Sequence, residues 1–246
     1  RLNDYGARSN YDNKIYGNTF NIIGEYHDTN WDNCMPVTTG IFYSASGDNN
    51  EIYDNEFYVT KKNSSEDAPV YALYIGGAKN SPVDNKLVYN NIIETNDKAT
   101  WLSSYYGYAN DFWFENNTFI KVENTFYTPS NPNAAIRLGY YNRDTLNLRM
   151  INNNYLDGFE PDEIQYTASS SSANYDLHKK LYLHVYVKDE SNNPINNVKV
   201  TATSTTQSEI IEETTNEEGY LILTLTKYVE SGDSRPTGTH NRGSYT

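Results

Sequence analysis

The chain has 246 residues, 37% hydrophobic, 14% aromatic and 21% charged, with a formal net charge of −13. Its 24 Tyr, 8 Phe and 3 Trp supply the material of a core and exclude a wholly disordered chain, and no run approaches the roughly 18 apolar residues of a spanning helix. Acid exceeds base on both sides of position 167, 22 to 12 before it and 10 to 7 after, so phosphate backbones and anionic membranes are poor partners.

Asparagine is abundant, 34 residues, whereas the usual helix builders are scarce, and this points to turns and strands. In chain order one pattern recurs five times: apolar, two variable residues, Asn, one variable residue, apolar. The copies are Ile15-Tyr16-Gly17-Asn18-Thr19-Phe20, Ile52-Tyr53-Asp54-Asn55-Glu56-Phe57, Leu87-Val88-Tyr89-Asn90-Asn91-Ile92, Phe114-Glu115-Asn116-Asn117-Thr118-Phe119 and Met150-Ile151-Asn152-Asn153-Asn154-Tyr155. Their asparagines lie 37, 35, 27 and 36 residues apart. Residues five apart on a straight strand face opposite ways, so both apolar residues share one core only if the chain bends at Asn. Stacked about 4.8 Å apart, Asn18, Asn55, Asn90, Asn117 and Asn153 would bond one another as a structural ladder.

A second apolar strand is expected at 40–44, 71–76, 100–105 and 135–140, with 2–9 as a remnant of an earlier one. Polar surplus falls at 24–39, 61–69, 96–99 and 121–133; if these segments share one point of each coil, long loops line one side of the stack. Arg1 falls within an interrupted repeat, so the chain is expected to be part of a longer polypeptide, with open strand edges that invite a neighbour.

This pattern resembles the right-handed parallel β-helix repeat family, over about residues 1–165. The resemblance implies an all-β fold of about five coils. Residues 166–176 have the composition of a linker, and strands are expected at 181–187, 198–203, 209–213 and 220–225. Within 177–230, Val185, Val187, Asp189, Pro194, Ile195, Val198, Val200, Thr215, Gly219 and Tyr220 are similar to the pattern of carboxypeptidase-regulatory-like and Ig-like modules, which implies a small, non-catalytic β-sandwich. The combination resembles the adhesin-like surface proteins of methanogenic archaea. The polar tail 231–246 departs from the further strand that such a module would carry.

β-Helices also host polysaccharide lyases and hydrolases, and hydrolysis needs two facing carboxyl groups within about 10 Å. Asp32, Asp97, Asp111 and Glu123 form no recognisable pair, Arg137 and Arg143 have only Asp144 nearby in sequence, and all read as solvated charges. No catalytic residue is assigned. The lone Cys34 forbids an internal disulfide. His27, Asp28, Asp32 and Cys34 lack metal-ligand spacing, so no metal or other cofactor is expected beyond a weak surface calcium ion at the oxygen-rich stretches 48–51 or 66–67. Tyr26, Trp31, Tyr106, Tyr108, Phe126, Tyr127 and Tyr141 are candidates for stacking on sugar rings, and Asn63 and Asn116 are candidate N-glycosylation sites. If Asn117 faces inward, Asn116 faces out.

The expected function is that of a non-enzymatic extracellular, cell-surface protein, adhesin-like or a fibre or surface-layer component. Its expected partners are neighbouring domains or subunits of the same assembly, and glycans. The alternatives are a secreted carbohydrate-active enzyme or carbohydrate-binding β-helix, and a trimeric tailspike-like assembly.

Overall fold

The computed structural model describes residues 12–24, 38–43, 50–62, 70–75, 86–102, 112–122, 134–138, 145–159, 164–166, 174–205, 208–233 and 239–242. These residues form an all-β structure with no helix. The first fifteen strands come in five triplets. They are β1 (Lys14–Tyr16), β2 (Thr19–Gly24) and β3 (Thr38–Tyr43); β4 (Glu51–Tyr53), β5 (Glu56–Lys61) and β6 (Val70–Ile75); β7 (Lys86–Tyr89), β8 (Ile92–Thr95) and β9 (Thr100–Leu102); β10 (Phe112–Glu115), β11 (Thr118–Lys121) and β12 (Ile136–Leu138); and β13 (Thr145–Ile151), β14 (Asn154–Leu156) and β15 (Ile164–Tyr166). Each triplet adds one parallel strand to each of three sheets: the first starting with β1, the second with β2, the third with β3. The polar surplus segments all fall at the connection from second to third sheet.

Alternation along the strands builds the interior. In β5, Phe57, Val59 and Lys61 are buried while Glu56, Tyr58 and Thr60 are exposed. Phe20, Phe57, Ile93, Phe119 and Tyr155 fall in one register column, with Phe20 and Phe57 stacked at 4.7 Å. One apolar cluster runs through all five triplets, from Ile22 to Leu177.

The bends divide two tasks that the sequence pattern assigned to one residue. Gly17, Asp54, Asn90, Asn116 and Asn152 take the left-handed conformation, with φ between 50° and 66°. The next residue carries the ladder: Asn18, Asn55, Asn91, Asn117 and Asn153. The third copy is therefore corrected by one residue. Val88, not Leu87, pairs with Ile52 and Phe114, so Asn90 is the exposed bend residue and Asn91 the buried rung. Two adjacent asparagines both satisfied the sequence spacing, and the register of the flanking strands decides between them.

Every ladder amide spans a coil. The side-chain Nδ2 of Asn18, Asn55, Asn91 and Asn117 donates to the Oδ1 of the next rung at 2.9–3.1 Å, and each backbone N–H donates to that same oxygen at 2.9–3.1 Å. Asn55, Asn91 and Asn117 also donate to a main-chain carbonyl of the preceding coil at 2.8–2.9 Å. Asn13 and Asn50 make a shorter second ladder at 2.8 Å.

The sixth pass departs from the pattern. β16 (Asn174–Tyr186) joins the first sheet beside β13, with Ile151 opposite Lys180. The bend would come next, but Leu181 and Tyr182 stand where earlier coils have a left-handed residue and Asn. A leucine there would cost about 1–2 kcal/mol, and the strand runs straight on. Along its whole length it pairs antiparallel with β19 (Tyr220–Asp233), while β17 (Lys199–Thr203) and β18 (Ile210–Thr214) form a separate two-stranded hairpin. Val185, Leu221, Leu223 and Leu225 pack against Val200, Ala202 and Ile211, which joins the hairpin to one face of β16–β19.

Two boundaries differ from the sequence reading. Within 166–176, Tyr166 ends β15 and residues 174–176 open β16; the residues between lie outside the described set. In the tail, β19 continues to Asp233 and β20 (Thr239–Arg242) pairs along its edge, so the polar composition did not prevent a last strand. Gly219, at φ 68°, turns the chain into β19, and a Cβ there would stand 2.5 Å from the Val187 carbonyl oxygen. Gly219→Ala is expected to cost on the order of 2 kcal/mol, read as a lower urea midpoint.

Candidate functional site

The outward residues of the first sheet form columns. Tyr16, Tyr53 and Tyr89 stack at 5.0 and 4.7 Å with nearly parallel rings. Because the rings lie face to face, the faces between them are closed to a sugar, and Tyr53, stacked on both sides, presents its edge and hydroxyl. Beside it, Lys14 lies 3.0 Å from Glu51, whose other oxygen accepts from the Tyr89 hydroxyl at 3.0 Å. Lys14 holds the Glu51 carboxyl below its ordinary value, while burial and Glu51 push the Tyr89 hydroxyl up to about 12.

Further along the sheet the chemistry becomes basic. Leu87, Trp113, Arg149 and His178 follow one another in register on β7, β10, β13 and β16. The Arg149 guanidinium lies 4.5 Å above the Trp113 ring and its Nε donates to Asn147 Oδ1 at 3.1 Å. His178 Nε2 is 2.9 Å from Asp176 Oδ2. Lys180 reaches Thr226 Oγ1 at 3.0 Å and Glu209 at 3.5 Å, and the Thr226 hydroxyl donates to Glu209 at 3.0 Å. Asn147, Arg149, His178, Lys180, Glu209 and Thr226, with Ser208, Ile210 and Val229, line an open groove of about 500 Å³. It forms where the segment entering β18 approaches the outer face of the stack. Ile210 is 66% exposed and gives the groove an apolar wall.

A different cluster is buried at the corner between the second and third sheets. Lys61 and Asp97 form an ion pair at 3.3 Å with both side chains under 9% exposed. Lys98 and Lys121 are buried beside them; burial pushes the Lys98 amine down to about 8 and lowers Lys121 as well. Lys121 also lies over the Phe159 ring at 5.0 Å. On the third sheet, Arg137 lies 4.1 Å from the Trp101 ring and donates to the Tyr71 hydroxyl at 2.8 Å. Asp97 and Arg137 are therefore not solvated charges, as their polar sequence surroundings suggested. Asp97 is folded into the corner, and Arg137 is half-buried against aromatic rings.

Of the other sequence candidates, Asn116 is exposed, and its Oδ1 accepts from Asn152 Nδ2 at 2.8 Å. Glu51 belongs to the outer face and Asn50 to the short ladder. Tyr26, Trp31, Tyr106, Tyr108, Phe126, Tyr127, Tyr141 and Asn63 lie outside the described residues, as do Asp32, Asp111, Glu123, Arg143, Asp144, Cys34 and its neighbours, and residues 66–67. Among the described residues no group of three or more His, Cys, Asp or Glu is arranged to hold a metal ion. The basic groove had one legible sequence signal: with Met150 placed inward by the repeat, Arg149 must face out. His178 and Lys180 carried none, because β16 lacks the bend motif.

Comparison with known proteins finds no family model, no curated protein and no solved structure that matches the chain.

Proposed function

We propose that the chain is a non-enzymatic, cell-surface binding module: a right-handed parallel β-helix carrying a small Ig-like, carboxypeptidase-regulatory-like unit, adhesin-like in role, which binds glycans. The observation that carries this reading is the groove at the junction of the two units. It combines apolar lining, Ile210 and Val229, with the polar groups of Arg149, His178 and Lys180, the mixed surface that an amphipathic sugar ring requires. The interior supports a rigid presenting stalk, since hydrogen-bonded ladders cross every coil. A catalytic role receives less support, because the groove's described lining contains a single carboxylate, Glu209, and it is engaged by Lys180 and Thr226. Glycan-array binding paired with reducing-end and unsaturated-product assays tests the proposal. Retention of a defined glycan without turnover is expected; release of either product would overturn the non-enzymatic reading.

A further inference from the structure

We infer that the groove takes a sugar bearing a carboxylate, of the uronate class, and that Arg149 is the residue that recognises it. This rests on the glycan-binding reading and goes one step beyond it. In a chain of net charge −13, three cationic or ionisable basic side chains, Arg149, His178 and Lys180, converge on one open depression. Two of them are already matched: His178 by Asp176, and Lys180 by Glu209. Among the described residues no carboxylate pairs with Arg149. Its ring partner Trp113 and the Asn147 amide oxygen fix the guanidinium plane through one face and through Nε, and leave the two Nη groups as donors. A planar fork held in this way suits a carboxylate, which it can grip through two parallel N–H···O bonds. Burial on one side by an indole ring also lowers the screening such a pair would meet in open water. In the same lining, exposed Ile210 offers a C–H surface for the ring that carries the acid. A neutral sugar would use the wall but not the fork, and a sulfate ester would use the fork with tetrahedral and not planar geometry.

The test uses the whole chain in calorimetric titrations with three probes: an oligogalacturonate, a neutral galactan oligosaccharide of equal length, and a sulfated galactan oligosaccharide. The oligogalacturonate is expected to bind best, with affinity falling as salt rises. Arg149→Gln should weaken it by about tenfold or more, the scale of a lost charge-assisted hydrogen-bond pair, and weaken the neutral probe by clearly less. Ile210→Asp, at an exposed position that leaves the fold intact, should weaken it as well by placing a negative charge beside the ligand. Equal binding of acidic and neutral probes, or no effect of Arg149→Gln, would overturn the carboxylate inference and leave glycan binding standing. Preference for the sulfated probe would overturn the uronate assignment. Binding of none of the three, with the glycan array also blank, would overturn both readings.

Discussion

Replacing Asn91 with Ala is expected to lower the unfolding free energy by about 3–5 kcal/mol, whereas replacing its neighbour Asn90 with Gly should change it by less than about 1 kcal/mol. The two residues are adjacent and chemically identical, so the contrast comes wholly from position. Asn91 is 1% exposed; its Nδ2 donates to Asn117 Oδ1, Ile52 O and Tyr89 O, and its Oδ1 accepts from the Asn55 backbone N–H and Nδ2. Alanine removes all five contacts and leaves the Asn55 N–H buried without its acceptor. A buried unsatisfied group costs about 1–3 kcal/mol, beyond the bonds that are simply lost. Asn90 is exposed at φ 55°, a conformation that glycine adopts freely, while alanine there should cost about 1–2 kcal/mol. Asn91→Asp keeps the acceptor but loses every donor and buries a charge, so it should be at least as damaging as Asn91→Ala. Urea denaturation of the four variants decides the matter. A larger loss at Asn90 than at Asn91 would move the ladder back to the position that the bare sequence spacing favoured.

That one-residue displacement shows what the repeat pattern could convey. The existence of five bends was legible, because an apolar residue on each side of Asn cannot share a core unless the chain turns. Which of two neighbouring asparagines turns and which bonds was not legible in the third copy, since Leu87 and Val88 fit the apolar position equally and only pairing with Ile52 and Phe114 separates them. In the first, second and fourth copies Gly17, Asp54 and Glu115-Asn116 leave no second reading of the inward residue, whereas in the fifth Ile151, Asn154 and Leu156 fit the spacing as well as Met150, Asn153 and Tyr155, and the pairing of Met150 with Phe114 makes Asn153 the rung. The strands of the second unit were legible from alternation, but the extension of β16 back to Asn174 was not. Its entry is polar, and its claim on the stack depends on Leu177 reaching the common core and on the parallel pairing with β13. For the same reason the groove was hidden: Arg149 and His178 are neighbours only through that pairing. The stretch 96–99 misled in the opposite direction. Four polar or small residues between strands look like a surface loop, yet Asp97, Lys98 and Ala99 are buried, and the ion pair with Lys61 is what permits it.

The corner around that ion pair should be the second most sensitive place in the chain. Asp97→Ala is expected to cost about 3–5 kcal/mol at pH 7, the usual consequence of removing one partner of a buried pair and stranding the other charge. The loss should depend on pH in a defined direction. In the folded chain Lys98 sheds its proton near pH 8, mainly because burial disfavours the cation, with Asp97 opposing the shift; its ordinary value is 10.5. Between those two values the unfolded chain binds the proton and the folded chain does not, so Lys98 contributes stability that rises with pH across the window. Without Asp97 the folded-state value drops further, so the penalty at pH 7 grows, and it is relieved as the solution is raised towards pH 9.5. The deficit of Asp97→Ala relative to the unmodified chain should therefore narrow from pH 7 to pH 9.5, and the double variant Asp97→Ala/Lys98→Met should show a deficit with less pH dependence. Above about pH 10 the sign reverses for other groups. Tyr89 ionises at about 12 in the folded chain, and Tyr71 and Tyr182 are also pushed up by burial, so the folded state holds protons that the unfolded state has lost, and stability falls. Urea titrations at pH 7, 8.5 and 9.5 test the sequence of effects. A deficit below about 1 kcal/mol at pH 7, the scale of an exposed pair, or one that widens with pH, would mean that the Asp97 carboxylate does not sustain the buried lysines.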